Sequence, residues 1–299
     1  MGYLYLFTAV AFGLTKGYLG KRISDKTPTV KNSITTNLIR MVFCIVVGLI
    51  FALCEGGLGG LVPETSVLLV ALGAGVATCA FIVSWLLSVR ESAYMSVEAF
   101  IAMGVLVPTI CSAIFYGESV GTSQIIGLTL LLVAVVVMSA YSGQVKKGFS
   151  IKSILLLTFT GLSAGLTDFL QKVYVNTAHV TGASAFNLYV YVFSAVILGV
   201  VSLLLKGERS DGPRGMLADR KKVVFIAIMA VCLFCNSFFK TLAAGLLDAV
   251  LLYPLSQGSA LILSLVMSTA LFKEKLKPTC IAGMCIMFLG LIFINVIKF

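Results

Sequence analysis

Leu14-Thr15-Lys16-Gly17-Tyr18 and Leu170-Gln171-Lys172-Val173-Tyr174 carry leucine, lysine and tyrosine in one order and at one offset (170−14, 172−16 and 174−18 are each 156). Each stretch closes an apolar segment, and a cation close to hydrocarbon is costly, so its recurrence points to a duplicated device. Later landmarks keep the frame. Asn37-Leu38 and Phe43 recur as Asn187-Leu188 and Phe193 at an offset of 150 (187−37), because the first connection is six residues longer than its counterpart. The offset then returns to 156, pairing Cys79 with Cys235, Leu86 with Leu242 and Ala93 with Ala249. Gly117-Glu118 likewise faces Lys273-Glu274, and Gly127 faces Gly283. The chain reads as one unit written twice, over 1–143 and 144–299, and self-similarity of this kind decides a fold before any single element does.

Charged residues make up 11% of the chain and hydrophobic residues 59%. A soluble globule needs a wetted, charged surface that this ratio denies it. Apolar runs at 3–19, 34–53, 66–88, 95–116, 123–141, 153–171, 184–205, 223–243, 249–271 and 279–297 each approach the ~20 residues that cross a ~30 Å hydrocarbon core. The sequence therefore predicts an all-α polytopic membrane protein with ten transmembrane helices. Five spans per unit is an odd number, so the second unit starts on the opposite side of the membrane. Two inverted five-helix repeats result, an arrangement that places a substrate site between halves and favours alternating access.

The formal charge of +10 would suggest nucleic acid in a soluble chain, but here it is read loop by loop. Seventeen of the 22 Lys and Arg lie in odd-numbered connections, among them Lys21, Arg22, Lys146, Lys147 and the group from Lys206 to Lys222. That bias puts both termini outside. No nucleic-acid partner is expected. A cleaved secretory peptide is not expected either, since no basic region precedes the first apolar run. The eight cysteines fall almost wholly within apolar segments, where they act as small hydrophobes, and no metal or other cofactor is implied. Cys232 and Cys235 have C-x-x-C spacing without the second pair a zinc site needs.

The duplication, the turn Phe115-Tyr116-Gly117-Glu118 with its echo Leu271-Phe272-Lys273-Glu274, Arg40 early in the second span and the paired Gly127 and Gly283 together resemble the drug/metabolite transporter superfamily. The likeness is to its ten-helix, EamA-like members, and it covers essentially the whole chain. It implies a transporter in a bacterial cytoplasmic membrane. The chain departs from the pattern at Lys273, opposite Gly117, and at Glu98, opposite Pro254. Relatives are usually drawn with cytoplasmic termini, the reverse of the charge bias.

Ionisable residues within spans are functional candidates by default. Arg40 offers a planar donor fork for a carboxylate or phosphate, or else snorkels to the interface. Lys16 and Lys172 sit at helix ends, where snorkelling is easy, yet their duplication suits a pair of gates. Glu98 and Asp168 are the candidates for proton coupling, since burial raises and a cation lowers a carboxyl pKa. Asn37, Gln171, Asn187, Tyr189, Asn236, Tyr253 and Gln257 complete the substrate-binding candidates, and some of them will instead hold helices together. Pro108 and Pro254 are expected to break the fourth and ninth spans. With Lys16, Arg40 and Lys172 against Glu98 and Asp168, the candidate cavity is neutral or slightly positive.

These features point to a secondary active transporter, not an enzyme, moving a small polar metabolite such as an amino acid or organic acid, with proton coupling as an option. A sugar or drug transporter of the same fold is an alternative, as is an intramembrane enzyme acting on a lipid phosphate. The enzyme lacks a clustered nucleophile, base and oxyanion set. Membrane lipid and a small-molecule substrate are the expected partners of a monomer or homodimer.

Overall fold

Without water to satisfy backbone polar groups, a spanning chain must form helices or a closed barrel. The computed structural model, which describes residues 1–24, 29–91, 94–140, 151–205, 219–272 and 278–295, is helical, with no strand among those residues. Its helices are α1 (Gly2–Ser24), α2 (Val30–Gly56), α3 (Thr65–Glu91), α4 (Tyr94–Met103), α5 (Leu106–Tyr116), α6 (Thr122–Ala140), α7 (Ile151–Thr177), α8 (Ala183–Leu204), α9 (Arg220–Ala244), α10 (Ala249–Phe272) and α11 (Pro278–Asn295). Counting α4 and α5 as one interrupted span, these are the ten apolar segments. Five of the helices are long and apolar enough on their own to cross a membrane, and α2, at 27 residues, is about 40 Å long. The connections 141–150, 206–218 and 273–277, with the Lys273-Glu274 echo, lie outside the described residues, as does Ala93.

Two compact units divide the chain, and neither is a sequence half. The first unit joins Met1–Leu86 to Val173–Gly245, and the second joins Leu87–Lys172 to Leu246–Phe299. In the first, α1 packs along α9, α2 along α8, and α9 along α2. Its core gathers Met41, Cys44, Ile82, Tyr191, Leu198 and Phe234. In the second, α6 packs along α11, and α10 packs against α4, α5 and α11. Its core includes Leu131, Ala134, Leu261, Met287 and Leu291. Helices that the sequence pairs across the repeat, α2 with α8 and α6 with α11, thus lie side by side inside a unit. Gly127 makes the second pairing close: a Cβ there would stand 2.6 Å from the Gly290 carbonyl oxygen and 2.5 Å from Ile294.

Proline behaves differently from the sequence expectation. The fourth span breaks at Gly104-Val105, ahead of Pro108, which sits in the first turn of α5 where its missing N–H costs nothing. Val107 N–H donates to the Gly104 carbonyl at 3.0 Å, taking the acceptor that Pro108 leaves open. Pro254 breaks nothing, because α10 continues through it to Phe272. Against the break lies α7, whose Gly161 and Gly165 have no Cβ. The backbone oxygens of Phe100 and Gly104 stand where those Cβ atoms would be. Gly161-x-x-x-Gly165 is therefore the bed for the interrupted span.

Candidate functional site

The sequence candidates divide evenly. Lys16, Asn37, Arg40, Asn187, Tyr189 and Asn236 belong to the first unit, and Glu98, Asp168, Gln171, Lys172, Tyr253 and Gln257 to the second.

In the first unit, α2 begins with Thr29, whose hydroxyl accepts the Asn32 N–H at 3.1 Å, and the next turns are buried on every side although they are polar. Two turns in, Arg40 shares a helix face with Asn37 and Cys44, spaced three or four residues apart. The opposite face, with Val42, Val46, Leu49 and Ile50, is exposed in the manner of a lipid-facing stripe. The Arg40 Nε is buried and has no hydrogen-bond partner, and no ion pair of Arg40 occurs among the described residues. The residue as a whole keeps some accessible surface. Its electrostatic neighbours are Cys44 and Tyr191. Arg40 thus lies on the protein-facing side of its helix, away from that exposed stripe.

The repeat's asparagines make matching bonds. Asn37 Nδ2 donates to the Ser33 carbonyl at 2.9 Å, and Asn187 Nδ2 to the Ala183 carbonyl at 2.8 Å, each one turn back. Asn187 also reaches Thr241 on α9 at 3.1 Å, while Tyr191 donates to Ser237 on α9 at 2.7 Å. Asn236 holds α9 to α1 through the Ala9 carbonyl at 2.6 Å, and Tyr189 ties α8 to the Leu61 carbonyl at 2.7 Å. The last two are helix ties. Lys16 is half-buried, with Cys44 and Cys232 within its electrostatic reach, and Lys240 is buried. Apart from Glu55 in the last turn of α2, the helical segments of this unit contain no acid, and Glu55 is engaged by the Ser184 N–H and hydroxyl at the start of α8.

The second unit builds a different network. Gly117, at φ +64°, ends α5 in the left-handed conformation that favours glycine, and the chain turns to present Glu118. Glu118 Oε1 pairs with Lys172 Nζ at 2.8 Å, and both side chains are about nine-tenths buried. Its Oε2 accepts the Ala249 N–H at 2.7 Å, capping α10. Lys172 also donates to the Leu247 carbonyl at 3.0 Å. One turn earlier on α7, Asp168 is buried. Its carbonyl accepts the Tyr253 hydroxyl at 2.6 Å, and its Oδ2 accepts Gln257 Nε2 at 3.4 Å. Gln257 also lines a small cavity with Val105, Leu131, Pro254 and Met287. Gln171 is buried, its Oε1 without a hydrogen-bond partner among the described residues, and Glu98 is half-buried. Lys172 thus forms part of a buried ion pair and helix cap, which removes it from the charge count of an open cavity.

Sequence reasoning missed three acids. Glu118 served only as a turn marker, Glu55 had no assigned role, and Glu64 stood in a connection. Glu64 Oε1 accepts the backbone N–H groups of His179, Val180 and Thr181 at 3.1, 2.6 and 3.2 Å, fastening the α7–α8 connection. The Val180 N–H first, then those of His179 and Thr181, hold its carboxyl below the usual range against some opposing desolvation. The signal for all three is an acid set next to a glycine-rich or short connection, where orphan N–H groups gather. Among the described residues, no group of three or more His, Cys, Asp or Glu is placed to hold a metal ion.

A family model described as the EamA-like transporter family matches residues 1–140 and 151–296. No characterised protein of a curated collection matches significantly. A solved structure titled "Crystal structure of protein" superposes with a TM-score of 0.74, covering 99% of this chain and 96% of that one at 14% identity, which shows a common fold.

Proposed function

The chain belongs to the EamA-like transporter family, and from that premise we propose that it is a secondary transporter of small metabolites bearing a carboxylate, working by alternating access. Membership makes it an integral membrane transporter of the drug/metabolite superfamily. The substrate class rests on Arg40: its Nε is buried without a partner, on the protein-facing side of α2. A buried donor left open is costly, and a carboxylate is the partner a guanidinium fits best. Lys16, within electrostatic reach of Cys44 one turn along from Arg40, adds positive potential, and Asn37 and Tyr191 supply neutral polar groups on the same side of α2. Lys172 is assigned instead to the Glu118 ion pair.

Asp168 is the proposed site of proton coupling, being a buried acid within a span that touches Gln257 at the wall of a cavity. The two repeats are taken as 1–143 and 144–299, and both termini are placed outside by the loop charges. Cysteine labelling of the 206–222 connection tests that orientation, and labelling from outside intact cells contradicts it.

Purified protein in liposomes tests the function. Saturable uptake and counterflow are expected for carboxylates across a panel that includes sugars, lipophilic cations and phosphorylated lipids, with a dependence on an imposed pH gradient that Asp168→Asn abolishes. Counterflow confined to cations or sugars overturns the substrate class. Phosphate release from lipid without flux overturns the transporter itself.

A further inference from the structure

In the second unit, α7 and α10 are tied together at successive levels. At the connection end, Lys172 reaches the Leu247 carbonyl at 3.0 Å and Glu118 takes the Ala249 N–H at 2.7 Å. One turn into the span, the Tyr253 hydroxyl donates to the Asp168 backbone carbonyl at 2.6 Å, a bond that does not depend on the charge of the side chain. Gln257 follows four residues later on the same face of α10, and its Nε2 donates to Asp168 Oδ2 at 3.4 Å. Of these ties, only the last meets the carboxylate.

Gln257 also lines a cavity of about 10 Å³, room for one water molecule. The other walls are apolar, among them Val105, Leu131, Pro254 and Met287. The cavity gives the amide space that close packing denies elsewhere. Charge in the neighbourhood is sparse. Lys172, one turn along α7 from Asp168, is held by Glu118 from the α5–α6 turn. Helix α4 brings Glu98, half-buried, while α5, α6, α10 and α11 carry no charged residue. Helix α3 meets α7 two turns earlier, where the Ser88 and Thr160 hydroxyls lie 3.0 Å apart.

An ionised carboxylate only accepts hydrogen bonds, whereas a protonated carboxyl also donates one. A primary amide matches both states. It gives an N–H to the first and, after a half-turn of its terminal torsion, offers its oxygen to the second. A lysine at this place would favour the ionised form, and a leucine would answer neither. We infer that Gln257 is the positioning residue for the proton on Asp168: its amide donates to the ionised carboxylate and turns beside the cavity to accept from the protonated carboxyl. This rests on the reading of Asp168 as the coupling acid. It moves Gln257 out of the substrate-binding set.

Infrared difference spectroscopy of the full-length protein in liposomes, titrated against pH, tests this without any substrate. The protonated-carboxyl band that Asp168→Asn removes identifies the acid, and the amide-carbonyl band that Gln257→Met removes identifies the amide. Both bands are expected to change with one midpoint. Methionine is unbranched and of similar length but has no N–H, so Gln257→Met should move the Asp168 midpoint upward by roughly half a unit to one unit. Gln257→Glu sets a second carboxyl beside the first and should move it further, by roughly one to two units. Gln257→Asn keeps an amide and should lie nearer to wild type than methionine does. If the methionine variant does not fold, the glutamate and asparagine variants carry the same test. An amide that only holds helices together would lower the melting temperature and leave the midpoint in place. That result overturns the inference, as does an amide band that ignores the titration. If Asp168→Asn removes no titrating carboxyl band, the reading of Asp168 as the coupling acid fails first, and the inference with it. If the band is removed while every Gln257 variant keeps the wild-type midpoint, the role of Gln257 alone is wrong.

Discussion

Replacing Lys172 with methionine keeps the length of the side chain and leaves the Glu118 carboxyl, among the described residues, with the Ala249 N–H as its hydrogen-bond donor. Breaking a buried pair by removing one member costs about 3–5 kcal/mol in a dry interior. With side chains 9% and 11% exposed, this pair is close to that limit. Polar contacts in membrane proteins couple less strongly, near ~0.6 kcal/mol on average with a maximum of ~1.7, because the unfolded reference also finds partners. A loss of about 2–3 kcal/mol for Lys172→Met is therefore expected. Glu118→Gln retains an oxygen for the α10 cap but removes the carboxylate from the ammonium, which keeps the Leu247 carbonyl, and should cost about 2 kcal/mol. In the double variant no charge is left unpaired, so the combined loss should fall short of the sum by about 1.5 kcal/mol. Thermal unfolding in detergent with a four-member mutant cycle measures this. Additivity within ~0.5 kcal/mol would refute the ion pair as a joint structural element.

Three further outcomes are expected. Gly165→Ala places a methyl against the Gly104 backbone oxygen, which cannot rotate away, so stability should fall by about 3 kcal/mol, while Leu166→Ala at the neighbouring exposed position should change it by under ~1 kcal/mol. Gly127→Ala meets the Gly290 carbonyl and Ile294 in the same way and should be destabilised similarly, by about 2 kcal/mol, in the same melts. Glu64 has a folded pKa below its ordinary 4.5, so its stabilisation is fully present above that value and is lost as the pH falls through the lower, folded one. Melting curves taken against pH should show an acid-side decline that Glu64→Gln flattens, and an unchanged decline would remove Glu64 from that role.

The membrane fold was legible because the bilayer restricts the chain so severely: length and hydropathy alone mark the spans. The duplication was legible through polar landmarks such as Lys16 and Lys172, which apolar drift cannot imitate. Their roles were not, since Lys172 meets Glu118 across 54 positions (172−118) and only the packing of α7 against the α5–α6 turn brings them together. Pro254 misled because a proline inside a membrane helix need not end it: α10 runs through Pro254 from Ala249 to Phe272. Arg40 stands out in the sequence because an arginine seven residues into a span is conspicuous wherever it points.

The central claim is that Arg40 receives the substrate's carboxylate. Counterflow of the best carboxylate and of its uncharged primary amide, compared in wild type, Arg40→Gln and Arg40→Lys, tests it most directly. A charge-assisted hydrogen bond predicts that Arg40→Gln loses about 10- to 100-fold in kcat/KM for the acid while amide transport changes by less than about threefold. Arg40→Lys should fall between, keeping the charge but not the planar fork. Equal losses for acid and amide, or wild-type acid transport in a well-folded Arg40→Gln protein, would contradict it.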